Sequence, residues 1–407
     1  MNQVLDGVMA GPEMVDRRVY TSADIFMLER EQIFKRSWLF VAHASEFTNP
    51  GDYRATTLAG QPVVAVMGKD GQIRAFFNSC RHKGTMIVED GTGNCDRLKC
   101  PYHHWTYDTA GCLLSVPRQE AYGTGFDRAA YSLVPVPRFE EHKGMLFANL
   151  SADAESLETF LGECIPYLDH VAEYDGQKLV SVGSYEYEYQ GNWKLLMENT
   201  LDDYHAEYLH DYAFAQRADL FEMTGTSGFQ ETAGSRWSVE LGIHGAYDQF
   251  DHERTLVIQR NRPRRVYVGV FPAFIALYHP VWDVTGLRVI KPIAIDRTVV
   301  TNYCLVPQGA DAETRKAIAE RFHYSWGPGG RAGVDDIWIF DRIQRGLNAE
   351  SAGRLLINRG MHRPGPRGGP ADDHAVRGFW AGWRRYMMDQ PTPVSRSIPI
   401  KEIAHAD

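Results

Sequence analysis

The spacing of apolar positions changes character in blocks along the chain. The first 38 residues read as an irregular lead and then a helix that Ser22 can cap, with Phe26, Leu28, Ile33 and Phe34 on its apolar side. Period-two patterns follow. Val63–Met67 and Gln72–Phe77 flank Gly68-Lys69-Asp70-Gly71, a hairpin signal, and Thr106–Asp108 and Leu113–Val116 flank a second glycine-containing turn. Met145–Leu150 closes this block as a strand. Helical spacing then takes over at Leu157, Phe160, Leu161, Ile165 and Leu168, with Ser151 as the expected N-cap and Pro166 placed to kink or divide the helix. Tyr185, Tyr187 and Tyr189 alternate with Glu186 and Glu188, which predicts a strand with one wet face. A helix is expected from about Asn192. Strands are expected at Arg236–Glu240, Thr255–Gln259, Val266–Tyr278, Gly286–Ile293 and Val299–Val306, and helices at Ala312–Tyr324, Asp336–Leu347 and His374–Met388. A Pro/Gly-rich loop spans 363–370, and a loose tail follows Pro391.

These blocks predict an α+β protein in three parts: a helical N-terminal segment (1–38), a small antiparallel β domain (39–150) and a larger domain (151–407). The chain has 407 residues, more than one ordinary core serves. Its 43 Lys plus Arg against 52 Asp plus Glu leave a net charge of −9, which gives no electrostatic footprint for nucleic acid. No apolar run of about 18 residues is present, so no membrane span is expected. Six cysteines are too few for a disulfide scaffold, and no secretory signal is visible, so the expectation is a cytoplasmic enzyme.

Two Cys-His pairs stand out in the β domain. Cys80-Arg81-His82 is followed, after 17 residues, by Cys100-Pro101-Tyr102-His103. Each pair can turn two ligands toward one point from a hairpin tip. A structural zinc site and a Rieske [2Fe–2S] centre, with two Cys on one iron and two His on the other, both fit this donor set. Gly84, Pro101, Trp105 and Tyr107 would build a dry lid and favour the cluster. Cys95 and Cys112 are at no ligand position and read as small buried hydrophobes.

A second constellation lies in the run from Asn192-Trp193-Lys194 to Asp202, His205 and His210. Two neutral imidazoles and a carboxylate can occupy one face of an Fe(II) octahedron and leave positions for dioxygen. His205 and His210 are five apart, so a helix break or bend between them is needed. Asp202, three before His205, would share its helical face and could fix that imidazole. The third ligand must come from elsewhere. Asp335 and Asp336, at the start of a late helix, are candidates, although acids there are most often dipole partners.

Together these motifs resemble the α subunits of Rieske non-haem iron aromatic-ring-hydroxylating oxygenases, over nearly the whole chain. The resemblance rests on Cys80, His82, Cys100 and His103, on Asn192-Trp193-Lys194 leading to Asp202, His205 and His210, and on Asp335-Asp336 with Gln344-Arg345-Gly346-Leu347. Arg377–Met388, with Trp383, is similar to the family's closing helix. The resemblance implies a Rieske β domain beside a helix-grip-like catalytic domain with a central antiparallel sheet surrounded by helices. It implies Asp336 as third ligand, with Asp335 the fallback, and Asp202 as a carboxylate bridging His205 to His103 of a neighbouring subunit. The cluster would be a low-potential one, since neither Pro101 nor Lys83-Gly84 supplies the bracing cysteines of high-potential Rieske proteins. His104 departs from the family, which often has glycine or another small residue there.

The implied activity is dioxygen-dependent hydroxylation of an aromatic ring, to a cis-dihydrodiol or a hydroxylated product. O- or N-dealkylation or monohydroxylation is the alternative within the family, and a zinc-stabilised binding module is the alternative outside it. NADH would act through a separate reductase or ferredoxin, since no Gly-rich nucleotide fingerprint follows a strand. The assembly would be a trimer of α alone, or α3β3 with a small β subunit. Arg217, Arg260 and Arg262 hint at a carboxylated aromatic substrate.

Overall fold

The computed structural model describes residues 2–8, 11–174, 176–210, 227–233, 237–243, 264–279, 284–330, 332–362, 367–368 and 371–388. Thr255–Gln259, the tail after Pro391 and Arg217, Arg260 and Arg262 lie outside the described residues.

The architecture is a mixture of helices and antiparallel sheets, as expected. Small sheets come first in the chain. Asp52–Leu58, Gln61–Met67, Ile73–Phe77 and Gly91–Asn94 form a four-stranded sheet, and the predicted hairpin at Gly68–Gly71 joins its second and third strands. Leu98–Lys99, Thr106–Tyr107 and Leu113–Ser115 form a three-stranded sheet, and Leu39–His43, Arg138–His142 and Met145–Asn149 form another. Between the first two sheets lies a core of Val64, Val66, Phe76, Leu98, Trp105 and Tyr107 that also takes in Cys80 and Cys100.

The second part is built on a nine-stranded antiparallel sheet among the described residues. From edge to edge its strands are Glu173–Tyr174, Gln177–Gln190, Arg297–Pro307, Val284–Ala294, Phe274–His279, Arg264–Val270, Trp237–Ile243, Ser227–Ala233 and Arg367–Gly368. One face packs on Leu157, Phe160, Leu168 and Val171 through Val268, Ala276, Leu287 and Leu305. The other face carries Val284, Ile290, Val300 and Cys304 and packs on Phe322, Trp326, Phe340, Phe379 and Trp383 of the later helices.

Helix His374–Met388 buries Ala375, Val376, Phe379, Trp380, Trp383 and Met387, the 3–4 spacing legible in the sequence. Helix Ala312–Trp326 is capped by Asp311, whose side chain accepts from the Thr314 amide. The helix led by Ser22 runs over Ala23–Glu29 and continues as a wider turn through Arg30–Phe34.

Several elements differ from expectation. Ser156, not Ser151, caps the helix at Leu157–Leu161, because the helix starts six residues after Ser151 and it is the Ser156 hydroxyl that accepts from the Thr159 amide. The helical run is divided, with Pro166 in the first turn of the second piece, Ile165–Ala172, where its missing N–H costs nothing. Val266–Tyr278 is not one strand but two, because Pro272 cannot donate to a central ladder and sits in the turn between them. Strand Ser227–Ala233 escapes the sequence pattern, since Gly228 and the polar Gln230-Glu231-Thr232 mask its alternation. Cys112 is exposed, so the buried-hydrophobe reading fails for it, while Cys95 is half-buried and packs against the core of the small sheets. Cys112 sits in the turn where its amide and that of Ala110 bind Asp108 Oδ1.

Candidate active site

The Cys-His pairs occupy two matching turns. In the first, the Cys80 amide donates to the Thr85 carbonyl and the Gly84 amide to Cys80; in the second, Cys100 donates to Trp105 and His104 to Cys100. The fifth residue of each turn is left-handed, Gly84 at φ +74° and His104 at φ +58°. The small residue expected at 104 therefore answers to backbone geometry. Both thiols are buried, while His82 is half-buried and His103 exposed. The two imidazole rings lie 4.6 Å apart, and Trp105 stacks under His82 at 5.1 Å. Tyr107 accepts from the Arg81 amide and reaches to 3.5 Å from Cys80 Sγ.

His82 Nε2 faces the Tyr122 hydroxyl at 3.3 Å, but Nδ1 is buried without a hydrogen-bond partner. Burial, then the charges of His103 and Lys83, lowers its pKa, which favours the neutral ring that metal binding requires. An orphaned imidazole nitrogen beside two buried thiols and a second imidazole is a donor set that fits a metal cluster.

The second constellation also converges. Helix Lys194–Thr200 stops at Leu201; a tight turn at Asp203–His205 and a short helix at Ala206–Leu209 follow, so His205 and His210 flank a one-turn helix. The expected break thus falls before His205 rather than between the histidines. Helix Gly333–Leu347 begins three residues earlier than its apolar pattern suggests, which puts both Asp335 and Asp336 in its first turn. His205, His210 and Asp336 each offer one ligand atom, all within 4.8 Å of one another. Nε2 of His210 lies 3.4 Å and Nε2 of His205 3.8 Å from Asp336 Oδ1.

Each of these side chains is oriented from behind. His205 Nδ1 is hydrogen-bonded to the Asp202 carbonyl, His210 Nδ1 lies 3.3 Å from Asp335 Oδ2, and Asn199 Nδ2 donates to Asp336 Oδ1. Asp336 faces the histidine nitrogens, whereas Asp335 steers His210. Burial opposes ionisation of Asp336, but hydrogen bonding and charge from His210, then the charge of His205, lower its pKa; the same pairing raises that of His210 against its burial.

Asp202 contacts His205 through its backbone rather than its carboxylate, because it lies in the break after the helix and not on a shared helical face. Its Oδ1 instead accepts from Arg359 at 2.6 Å and from the Tyr204 amide. Burial raises the Asp202 pKa against the opposing charge of Arg359. A cavity of about 670 Å³ opens beside it, lined by Glu198, Asp202, Tyr204, His205, Tyr208 and Arg359 among others.

Asn192-Trp193-Lys194 is a fastening. The Lys194 ammonium and the Trp193 indole both bind Glu29 of the N-terminal helix, as does Trp383, and all four are buried. Asn192 and Gln344 hold the backbone around Tyr20. Arg359 and Asn199 went unread in the sequence, since nothing in their spacing marks them; Asn199, adjacent to Glu198, could have been suspected from its place in the motif.

Known proteins show the same organisation. The family model for the Rieske [2Fe-2S] domain matches residues 37–139, and that for the ring hydroxylating alpha subunit (catalytic domain) matches residues 177–389. The chain is 31% identical over 358 residues to the toluate 1,2-dioxygenase α subunit of Pseudomonas putida, covering 81% of this chain and 78% of that protein. It is 30% identical over 406 residues to the 2-halobenzoate 1,2-dioxygenase large subunit of Burkholderia cepacia, covering 92% and 85%. Its fold matches naphthalene 1,2-dioxygenase from Rhodococcus sp. with a TM-score of 0.84 at 24% identity, covering 93% and 95% of the two chains. The chain belongs to the ring-hydroxylating dioxygenase α subunits, Rieske non-haem iron oxygenases. Its cofactors are therefore a [2Fe–2S] cluster and a mononuclear iron.

Proposed function

We propose that Cys80, His82, Cys100 and His103 hold the cluster, that His205, His210 and Asp336 hold the mononuclear iron, and that the subunit hydroxylates an aromatic ring with dioxygen. The observation that carries the reading is the meeting of three donors from two separate chain segments within 4.8 Å. Two imidazoles and one carboxylate on a single side suit ferrous iron with open positions. When bound, the cluster supplies single electrons and the mononuclear iron activates dioxygen. The protein's own contribution is orientation. The Asp202 carbonyl and Asp335 hold Nδ1 of each histidine so that Nε2 presents its lone pair, and Asn199 holds the Asp336 carboxylate in place.

NADH-derived electrons reach the chain through a reductase or ferredoxin. The cluster tip is at the surface, with Tyr102 65% exposed beside His103, and the cavity at Asp202 is lined by the exposed Tyr204 and Tyr208. Exposed tip and open cavity support transfer between neighbouring subunits of a trimer, with or without a small β subunit, and with Asp202 as the bridge to His103 of the neighbour. Among the described residues no helix is long and apolar enough to cross a membrane, which supports a cytoplasmic enzyme. The relatives are named for toluate and 2-halobenzoate, the structural neighbour for naphthalene; an aromatic ring is what those names share.

The test is a set of single alanine replacements at His205, His210 and Asp336. Each should keep the red-brown cluster spectrum, lower iron from about three to about two per chain and abolish product formation. A colourless, zinc-loaded native protein would contradict the reading. Mass analysis of product formed under labelled dioxygen separates dihydroxylation, with two labelled oxygens, from monooxygenation, with one.

A further inference from the structure

The sheet face turned toward the late helices carries a polar row. Tyr185 pairs with Asn302 and Asn302 with Arg288 in direct cross-strand register, so the three side chains lie side by side across three adjacent strands. On the same face of the first strand, Tyr189 packs on Phe340 at 4.8 Å, and Asp336 lies one turn before Phe340 on its helix. Tyr187 stands between Tyr185 and Tyr189 on that face. Phe322, His323 and Trp326 of the Ala312–Trp326 helix cover the row at Tyr185 and Arg288, Tyr189 beside it meets the Gly333–Leu347 helix, and the charges of Arg288 and Asp336 both reach Tyr187, so the row and the His205–His210–Asp336 cluster border one interior.

The row is short of partners. Arg288 is 7% exposed, forms no ion pair with any described residue, and its Nε is buried without a hydrogen bond. Asn302 is fully buried; its amide passes near the Tyr187 hydroxyl, yet neither of its polar atoms is hydrogen-bonded. The Tyr185 hydroxyl is likewise buried and unbonded. Trp326 lies 5.1 Å from the guanidinium and supplies a cation–π contact. That contact satisfies the π face of the guanidinium and leaves its in-plane N–H fork open.

The charge of Arg288 acts on Asp336 from beyond ion-pair distance, and a buried cation with no ion-pair partner among the described residues is among the more expensive features a core can carry. The donors gathered here are a guanidinium fork, an amide NH2 and a phenol, with no carboxylate in the row. The complement of such a set is a planar anion, bound bidentate by the arginine. Arg288 stands two strands from the strand of Tyr187, a lateral distance of about 10 Å across the sheet.

Resting on the functional reading above, the geometry points to an aromatic carboxylate as substrate, with Arg288, aided by Asn302 and Tyr185, binding the carboxylate and so directing the ring toward His205, His210 and Asp336. Arg288 is in this sense a specificity-determining residue, which the sequence conceals because it is one of two basic residues, with Lys291, in a mainly apolar strand.

The test uses iron-replete enzyme with its reductase. Benzoate and 2-naphthoate are each compared with the corresponding neutral amide and with toluene, by calorimetric binding and by product formation. Wild-type enzyme should bind and hydroxylate at least one acid and prefer it to its amide. Arg288→Met should weaken binding of that acid about 100-fold, with cluster spectrum and iron content unchanged, and Arg288→Lys should recover part of the loss. Preference of the wild type for toluene or the amides would overturn the inference while leaving ring hydroxylation standing. So would an Arg288→Met enzyme that loses thermal stability and slows on every arene alike, since that is the signature of a packing role. Oxidation of no arene by the iron-replete wild type would overturn the functional reading and this inference together.

Discussion

Gly84 and His104 occupy the same position in two turns of the same hydrogen-bonding pattern, and both have positive φ. Glycine adopts that conformation freely; a residue with a Cβ is strained there by about 1 kcal/mol. His104→Gly should therefore raise the temperature at which the cluster's visible bands bleach, by about 1 kcal/mol of added stability. Gly84→Ala should lower it by a similar amount, because the nearest atom to an added Cβ is 3.9 Å away and only the backbone objects. Equal bleaching temperatures in all three proteins would contradict this. Residue identity was legible wherever chemistry demanded a rare side chain: Cys80, His82, Cys100, His103, His205 and His210. Asp336 and Asp335 could not be told apart by spacing, because both sit in one helical turn and only the direction of each side chain separates the acid facing two imidazole nitrogens from the one behind His210.

At the scale of elements, helix Lys194–Thr200 is pinned by two carboxylates, Glu29 buried and Glu198 half-buried. Glu29 receives Lys194, Trp193 and Trp383, and Glu198 accepts from the Tyr20 hydroxyl at 2.7 Å and from Trp380 Nε1 at 2.5 Å. Burial pushes Glu198 up to about 7 from an ordinary 4.5, despite its two donors and Lys194. Between those values the folded protein keeps a proton that the unfolded chain has released, so this group's contribution to stability falls as pH rises from about 4.5 to about 7. Glu198→Gln removes that dependence. The variant should gain on wild type across this window, by up to roughly 3 kcal/mol at pH 8, read as the difference in urea midpoints at a series of pH values. A difference that does not change with pH would show that Glu198 is ionised throughout. The boundaries of this helix were poorly legible: the turn at Leu201 carries no glycine or proline, and tertiary contacts rather than local propensity end it.

At the scale of the whole molecule, His103 is exposed and His82 half-buried over the two buried thiols, and Asp202 lies at the edge of an open cavity. Both Asp202 contacts use Oδ1, and Oδ2 has no hydrogen bond among the described residues, so the carboxylate keeps an acceptor for an imidazole from outside. Asp202→Asn should fold, retain about three irons per chain and accept electrons from the reductase into the cluster, yet turn over about 100-fold more slowly. Rapid mixing of reduced enzyme with substrate and dioxygen should locate the loss in reoxidation of the cluster. Near-wild-type turnover, or inactivity explained by lost mononuclear iron, would refute the bridge.

By itself, the sequence determined the class of fold, most helices and strands, and the donor types of both metal sites. These follow from local rules: apolar periodicity sets which face of an element is buried, and thiol, imidazole and carboxylate chemistry limits what such residues can do together. The tertiary structure decided which acid faces the histidine pair, that Asp202 is clamped by Arg359, that Asn192-Trp193-Lys194 ties down the N-terminal helix, and that Arg288 is buried on the sheet face with no ion-pair partner among the described residues. The first three are relations between residues more than 100 positions apart and the fourth follows from strand register; no periodicity along a single element can point to any of them.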